Sequence, residues 1–275
     1  MFSTITKPLI MGILNVTPDS FSDGGRYTAV DAALEQAGRM LDEGVGIIDI
    51  GGESTKPGSD PVDSAEQIRR VLPVISAIRQ QHDIPISIDT TCSAVAVAAI
   101  NAGATMINDI SGGLNDPAIL TLAAQNNTPI ILMHSRGTPK TMQDNPHYEN
   151  VVAEVLAELK HRIDAALSAG IPEELIAIDP GIGFGKRKQD NLDLLAHLHA
   201  FVALGFPVLL GTSRKRFMGN ICNVSEPADL ITATAVTTAL GVMSGVKIFR
   251  VHDVKENRQA LEVAWAIKQS FYSWI

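Results

Sequence analysis

The sequence predicts a closed (β/α)8 TIM barrel, a single-domain α/β fold spanning residues 1–275. Three observations predict it. Eight short apolar runs rich in β-branched residues recur along the chain, amphipathic helical stretches lie between them, and polar residues gather at or just beyond the ends of the runs. The 275 residues are 45% hydrophobic, ample for a large core, and only 19% are charged, so a disordered chain is excluded.

The runs fall at 9–14, 46–50, 85–88, 105–110, 129–133, 175–178, 207–210 and 247–251. Between the first two, Val30, Ala33, Leu34, Ala37 and Leu41 recur at helical spacing and Gly44 follows as a helix-ending glycine. Val152, Val155, Leu156, Leu159, Ile163 and Leu167 repeat the pattern before Gly170. Strands apolar on both faces, each followed by a helix, imply a parallel sheet covered by helices. A doubly wound open sheet usually has fewer strands and a glycine fingerprint after the first, whereas eight βα units in about 250 residues is the size of a closed barrel. No low-complexity segment or composition shift marks a linker.

The formal net charge of −8 disfavours nucleic acid and anionic membrane as partners. Cys92 and Cys222 match no metal-ligand or C-x-x-C spacing, so a disulfide framework is not expected and a reducing, cytoplasmic location is. Residues 1–8 lack the pattern of a signal peptide, and no run of about eighteen apolar residues could span a bilayer.

In such barrels chemistry sits at the carboxyl ends of the strands. Asn15 follows the first run; Asp49, Glu53, Ser54 and Thr55 the second; Asp89 the third; Asn108 and Asp109 the fourth; then come His134, Asp179, Ser213 with Lys215, and Arg250 with His252. Glycines cluster in the same loops, where backbone turns sharply or approaches a ligand. The segment GIGFGK (181–186) is neither a dinucleotide fingerprint nor a P-loop. Arg250 and His252 alternate with apolar Phe249 and Val251, and basic side chains facing a barrel pocket are costly unless they meet an anion. With Lys215 they suggest a phosphate or carboxylate site.

Several stretches occur together and in order: GILNVTPDSFSDGG (12–25), IDIGGESTKPGS (48–59), IDT (88–90), INDISGG (107–113), DPGIGFGK (179–186), GTSRKRFMG (211–219) and RVHDV (250–254). This combination resembles the dihydropteroate synthase family, the pterin-binding barrels of folate biosynthesis that sulfonamides inhibit. The resemblance runs from Leu9 to the final helix. It implies a transferase that condenses 6-hydroxymethyl-7,8-dihydropterin pyrophosphate with 4-aminobenzoate, giving 7,8-dihydropteroate and pyrophosphate. It further implies Asp179, Asn108 and Lys215 on the pterin edge, Asp89 as a second pterin contact, and Met133 and Arg250 on the ring faces. Asn15, Thr55, Arg250 and His252 would surround the pyrophosphate with Mg²⁺, Asn15 being the metal ligand. Asn15, Arg250, His252 and Lys215 are the expected catalytic groups. Phe184, Pro57, Phe21 and Lys215 would enclose 4-aminobenzoate, with Ser213 and nearby backbone amides at its carboxylate. Segments 17–26 and 53–61 read as lids.

Three positions depart from the family pattern. Lys56 stands where Arg is general, keeping the charge but losing the fork; Ser135 and Arg136 follow His134 where many relatives carry methionine; Phe249 replaces an aliphatic. Two rivals remain. A methyltetrahydrofolate-binding methyltransferase has no pyrophosphate to bind, which Thr55, Arg250 and His252 disfavour. A non-catalytic pterin-binding module would tolerate loss of both lids, and both are complete here. A homodimer is expected, with 229–246 as a candidate partner face.

Overall fold

The computed structural model describes residues 2–17 and 26–272. Among them, eight parallel strands alternate with helices. The elements are β1 (Leu9–Asn15), α1 (Arg26–Asp42), β2 (Ile47–Gly51), α2 (Ser64–Gln81), β3 (Ile86–Asp89), α3 (Ser93–Ala102), β4 (Met106–Asp109), α4 (Ala118–Gln125), β5 (Ile130–Met133), α5 (Val151–Ser168), β6 (Ile176–Asp179), α6 (Lys188–Ala196), α7 (Leu198–Val202), β7 (Leu209–Leu210), α8 (Arg216–Cys222), α9 (Ile231–Ser244), β8 (Ile248–Val251) and α10 (Val254–Tyr272). The strand order is β6-β5-β4-β3-β2-β1-β8-β7. A parallel bridge between Ile178 and Val208, with the Ile178 N–H donating to the Pro207 carbonyl at 3.0 Å, joins the two ends into a barrel. Each apolar run became a strand shifted by about a residue; the seventh shortened to two residues.

Alternation along the strands makes two apolar layers. Ile10, Ile48, Ile107, Ile130, Ile176, Leu210 and Phe249 face the helices in the main core. Met11, Ile47, Met106, Ile131, Ala177, Leu209 and Ile248 form a separate cluster inside the barrel, stoppered by Phe2. Two residues further along each strand, the interior positions become Ile13, Asp49, Asn108, Met133, Asp179, Gly211 and Arg250, with Ser87 and Asp89 on β3. The barrel is thus dry at its amino end and polar at its mouth.

Helix ends follow local chemistry. Asp63 caps α2 by accepting the Glu66 N–H at 2.9 Å, and Asn150 caps α5 by accepting the Ala153 N–H at 3.0 Å. Phe249 is 1% exposed and lies against α9, where a Cβ on Gly241 would stand 2.6 Å from its ring. The aromatic departure from the family pattern is thus matched by a glycine opposite it.

Candidate active site

Asn15, Asp89, Met133 and Asp179 end their strands and Asn108 is the last but one of β4, while His252 directly follows β8 and Ser213 and Lys215 follow β7, so all lie at one mouth. Gly51 and Gly211 show how closely they meet. A Cβ on Gly51 would stand 3.6 Å from Asp89 Oδ2 and 3.7 Å from Asn15 Oδ1; one on Gly211 would stand 3.9 Å from both Arg250 Cβ and Asp179 Oδ2. Bare backbone on β2 and after β7 leaves that space to the polar groups.

Arg250 meets its anions within the chain. Its Nε donates to Asp49 Oδ2 and its Nη2 to Asp89 Oδ2, both at 2.6 Å. Asn108 Nδ2 donates to the same Asp49 oxygen at 3.2 Å. Two buried carboxylates of the chain itself thus offset the Arg250 charge. Burial opposes the Arg250 charge, but Asp49 and Asp89 outweigh it and raise its pKa further. Asp49 is a site residue that the motif reading left out. The signal was present, since an arginine on the inner face of a strand demands buried anions, and Asp49 is two residues beyond apolar Ile47.

Three acceptors on this floor, Asp49 Oδ1, Asp89 Oδ1 and Ser87 Oγ, are buried without a hydrogen-bond partner among the described residues. Burial pushes Asp89 up to about 7, with Arg250 pulling down and Asp49 pushing up. Burial likewise lifts Asp179 to about 6, although it accepts the Gly181 N–H at 2.7 Å and feels Lys215. Burial, and the neighbouring Arg250 charge, lower Lys215 to about 8.

On the other side of the mouth Lys215 Nζ sits 4.2 Å from the centroid of the Phe184 ring. Phe184 packs with Met133, Met142 and Ile110 in a small apolar cluster. The loop that carries it is glycine-dependent: Gly181 has φ +69°, and a Cβ there would fall 1.8 Å from the His134 carbonyl oxygen. Ser213 Oγ bonds His252 Nδ1 at 2.9 Å and accepts the His252 N–H at 3.1 Å. Arg214, at φ +57°, forks onto Asp253 through Nε and Nη2 at 3.1 and 2.6 Å, tying the two anion-side loops together. Burial, with Arg214 and Arg250 nearby, drives His252 down to about 3, so its imidazole is neutral.

Other expected residues are placed differently. Asp109 turns away from the mouth and holds the following turn through the Ser111 and Gly113 N–H groups at 2.8 and 2.7 Å. His134 is fully buried behind the site, between Lys186 and Glu158. Thr55 is half-buried, whereas Lys56 and Pro57 are exposed. The loop 53–61, expected as a lid, is tied to the β5 side by a Gly58 N–H to Pro139 carbonyl bond of 2.9 Å and a Lys140–Asp60 ion pair of 2.7 Å. Phe21 and most of the first lid lie outside the described residues. Arg136, one of the departures, braces α5: it pairs with Glu154 and Glu158 and lies 4.1 Å over the Tyr148 ring.

The profile of the family described as "Pterin binding enzyme" matches residues 11–252. The chain is 45% identical over 267 residues to the dihydropteroate synthase of Synechocystis sp., covering 97% of this chain and 92% of that one. It is 47% identical over 250 residues to that of Bacillus subtilis, covering 91% and 85%. Among solved structures it resembles a Clostridium difficile dihydropteroate synthase determined in the presence of pteroic acid (TM-score 0.91, 43% identity, 97% and 99% coverage). It also resembles the Yersinia pestis dihydropteroate synthase with a sulfonamide drug complex (TM-score 0.90, 42% identity, 96% of both chains). The Xanthomonas albilineans enzyme in complex with 7,8-dihydropteroate is a third such structure (TM-score 0.87, 43% identity, 96% and 95% coverage). With its polar rim and its sequence pointing the same way, the chain belongs to the pterin-binding enzyme family, among the dihydropteroate synthases.

Proposed function

We propose that the chain, acting as one domain, condenses 6-hydroxymethyl-7,8-dihydropterin pyrophosphate with 4-aminobenzoate and releases pyrophosphate. The observation that carries this reading is the floor of the mouth. Buried acceptors on Asp49, Asp89 and Ser87 stand without partners among the described residues, beside Asp179, Asn108 and Lys215. A pterin edge offers N–H donors in a plane with a ring carbonyl; it matches carboxylates that accept, an amide that does both, and an ammonium that donates. An unpaired buried acceptor costs about 1–3 kcal/mol, which ligand N–H groups recover.

Asp179, Asn108 and Asp89 hold the edge, Lys215 faces the carbonyl and N5, and Met133 and Arg250 bound the ring faces. Asn15, Thr55 and His252 lie on the side where the diphosphate departs, with Arg250 between the two sites. The C–O bond at the exocyclic methylene breaks with its electron pair leaving on pyrophosphate. The methylene cation delocalises into the dihydropterin, the aryl amine lone pair forms the new C–N bond, and the amine proton is lost to solvent. Neutral His252 serves as a hydrogen-bond donor to the leaving group. For Nε2 to carry the hydrogen, Nδ1 must accept, so the Ser213 hydroxyl hydrogen goes to Nδ1. In that tautomer the one Ser213 hydrogen is committed to His252, and we propose this role for Ser213 in preference to the contact with the 4-aminobenzoate carboxylate that the resemblance implies. Phe184, Pro57 and Lys215 enclose the aryl ring, and Lys56 lies near its outer edge.

Mg²⁺ fits the donors available. Asn15 Oδ1 lies beside Asp89 at the mouth, while no cluster of three or more acidic, histidine or cysteine side chains is found among the described residues. A cation that keeps waters and substrate oxygens needs only one or two protein ligands. When bound it would neutralise charge on the departing diphosphate.

We assign the dimer face to α9 and α10. Between them runs an apolar groove of about 650 Å³ whose walls include Leu240, Met243, Val263, Ile267 and Phe271, each at least 40% exposed. So much apolar surface in one place favours a second copy of the chain. No helix among the described residues is long and apolar enough to cross a membrane, and a cytoplasmic location is our reading. The activity is tested by following both products: pyrophosphate and 7,8-dihydropteroate should form in equal amounts with both substrates and Mg²⁺. Tight pterin binding with neither product would support a binding module instead.

A further inference from the structure

Behind the Phe184 side of the mouth a chain of ionisable groups runs from half-buried Arg136 and Glu158 inward to buried His134 and Lys186, and the chemistry above does not use it. Lys186 is 3% exposed. Its Nζ donates to the Phe184 carbonyl at 3.0 Å and to His134 Nδ1 at 2.9 Å, with the His134 carbonyl at 3.5 Å. With Nδ1 accepting, the ring hydrogen is on Nε2, which donates to Glu158 Oε2 at 2.9 Å. Glu158 in turn accepts Arg136 Nε at 3.0 Å. Alongside, Arg162 donates to the Met133 and Ser135 carbonyls at 2.8 and 3.0 Å. Burial lowers Lys186 to about 7 and, with Lys186 beside it, lowers His134 to about 3.

The remaining loop bonds show why Lys186 matters. Gln143 donates to the Gly183 carbonyl and Tyr148 to that of Gly185, at 2.9 and 3.0 Å. Asn191 accepts the Gly183 N–H at 2.6 Å. Gln143 is exposed, so water can replace it; the Phe184 carbonyl is served by a buried ammonium. A side chain this costly to bury is out of proportion to a simple turn.

We propose that Lys186 is a positioning residue for the second substrate. Its ammonium, backed by His134 and Glu158, fixes the Phe184–Gly185 peptide and so holds the Phe184 ring beside Lys215 as one wall of the 4-aminobenzoate slot. The inference rests on the reading of Phe184 as a wall of that slot. The Lys186 hydrogen bond acts on the slot through Phe184, while towards the pterin edge the ammonium contributes only its charge, which lowers the Asp179 pKa.

Steady-state kinetics and hydrogen exchange on Lys186→Met test it. KM for 4-aminobenzoate rises about tenfold, the consequence of losing one ordered hydrogen bond to a charged donor, while the Kd for the pterin pyrophosphate changes by a much smaller factor, through the lost charge near Asp179. Amides of 181–185 exchange faster and those of α10 do not. Glu158→Gln, which keeps the volume and one acceptor, gives a smaller rise in the same KM and keeps the test open should the lysine variant fold poorly. Equal losses for both substrates, an unchanged KM accompanied only by a lower Tm, or unchanged exchange in 181–185 would each overturn the proposal. A failure of the assigned activity would show in the parent protein itself, which would release no pyrophosphate; the exchange comparison still decides the role of Lys186.

Discussion

The Ser213 hydroxyl meets His252 twice, accepting its backbone N–H at 3.1 Å and lying 2.9 Å from its Nδ1. A single oxygen on the loop after β7 thereby holds both the backbone and the ring of the histidine that follows β8. The Arg214–Asp253 fork, one residue further along each chain segment, keeps the two loops at that spacing.

Ser213→Ala is expected to lower kcat by about tenfold, as befits one lost hydrogen bond, and to leave KM for 4-aminobenzoate unchanged. In a His252→Gln background the serine change should add little, because the two act as a unit. A rise in KM for 4-aminobenzoate would return Ser213 to the carboxylate.

Substrate binding should have an acid limb and an alkaline limb. Asp179, lifted to about 6, can accept the proposed pair of pterin N–H groups with both oxygens, and with full charge, only when ionised. As pH falls through 6 it protonates and affinity drops, by up to about tenfold per pH unit. Lys215, lowered to about 8, loses its charge as pH rises through that value. Calorimetric titration of the pterin substrate from about pH 5 to 9 checks this, and Asp179→Asn should remove the Asp179 contribution to the acid limb. The same raised carboxylate makes the ligand-free fold less stable as pH rises between about 4 and 6, since the unfolded chain ionises more readily there.

Arg250→Met should be destabilising as well as inactivating. It leaves Asp49 and Asp89 facing each other in a buried site without their cation, at a cost of about 3–5 kcal/mol. Urea unfolding measures the loss, and adding Asp89→Asn should recover part of it.

Gly181→Ala should fold poorly. The left-handed backbone and a Cβ 1.8 Å from the His134 carbonyl oxygen together cost about 3 kcal/mol or more. Thermal unfolding compared with Gly58→Ala separates the two causes, because Gly58 shares a positive φ but an added methyl there would meet nothing within 4 Å. A similar Tm for both would mean that conformation alone matters.

Sedimentation equilibrium should give a two-chain species for the parent and a single chain for Val263→Asp. Val263 is 62% exposed in one copy, so the folded barrel itself should be unaffected.

Much of this was legible because strand residues alternate. Once Met11, Ile47, Met106, Ile131, Ala177, Leu209 and Ile248 are seen as one interior layer, the positions two residues on are the polar floor. The same alternation decides between neighbours that sequence cannot rank by type: Asn108 faces inward and Asp109 outward. What stayed hidden depends on partners from remote segments. Arg250 looked like a receptor for an outside anion because its carboxylates lie about 160 and 200 residues away along the chain. Lys186 and His134 read as loop polar groups because nothing local says that Glu158, on α5, closes behind them.

In the proposed function the labour of one rim is divided: Asp179 is assigned to grip the heterocycle and His252 to help the diphosphate leave. A paired measurement on Asp179→Asn and His252→Gln, of the Kd for the pterin pyrophosphate and the single-turnover rate of C–N bond formation, decides whether the two roles are separate. Asp179→Asn should weaken binding by well over tenfold, while His252→Gln should leave binding intact and slow the rate by about a hundredfold, the scale of one lost transition-state donor. The same proportional loss of binding and rate in both variants would refute the division.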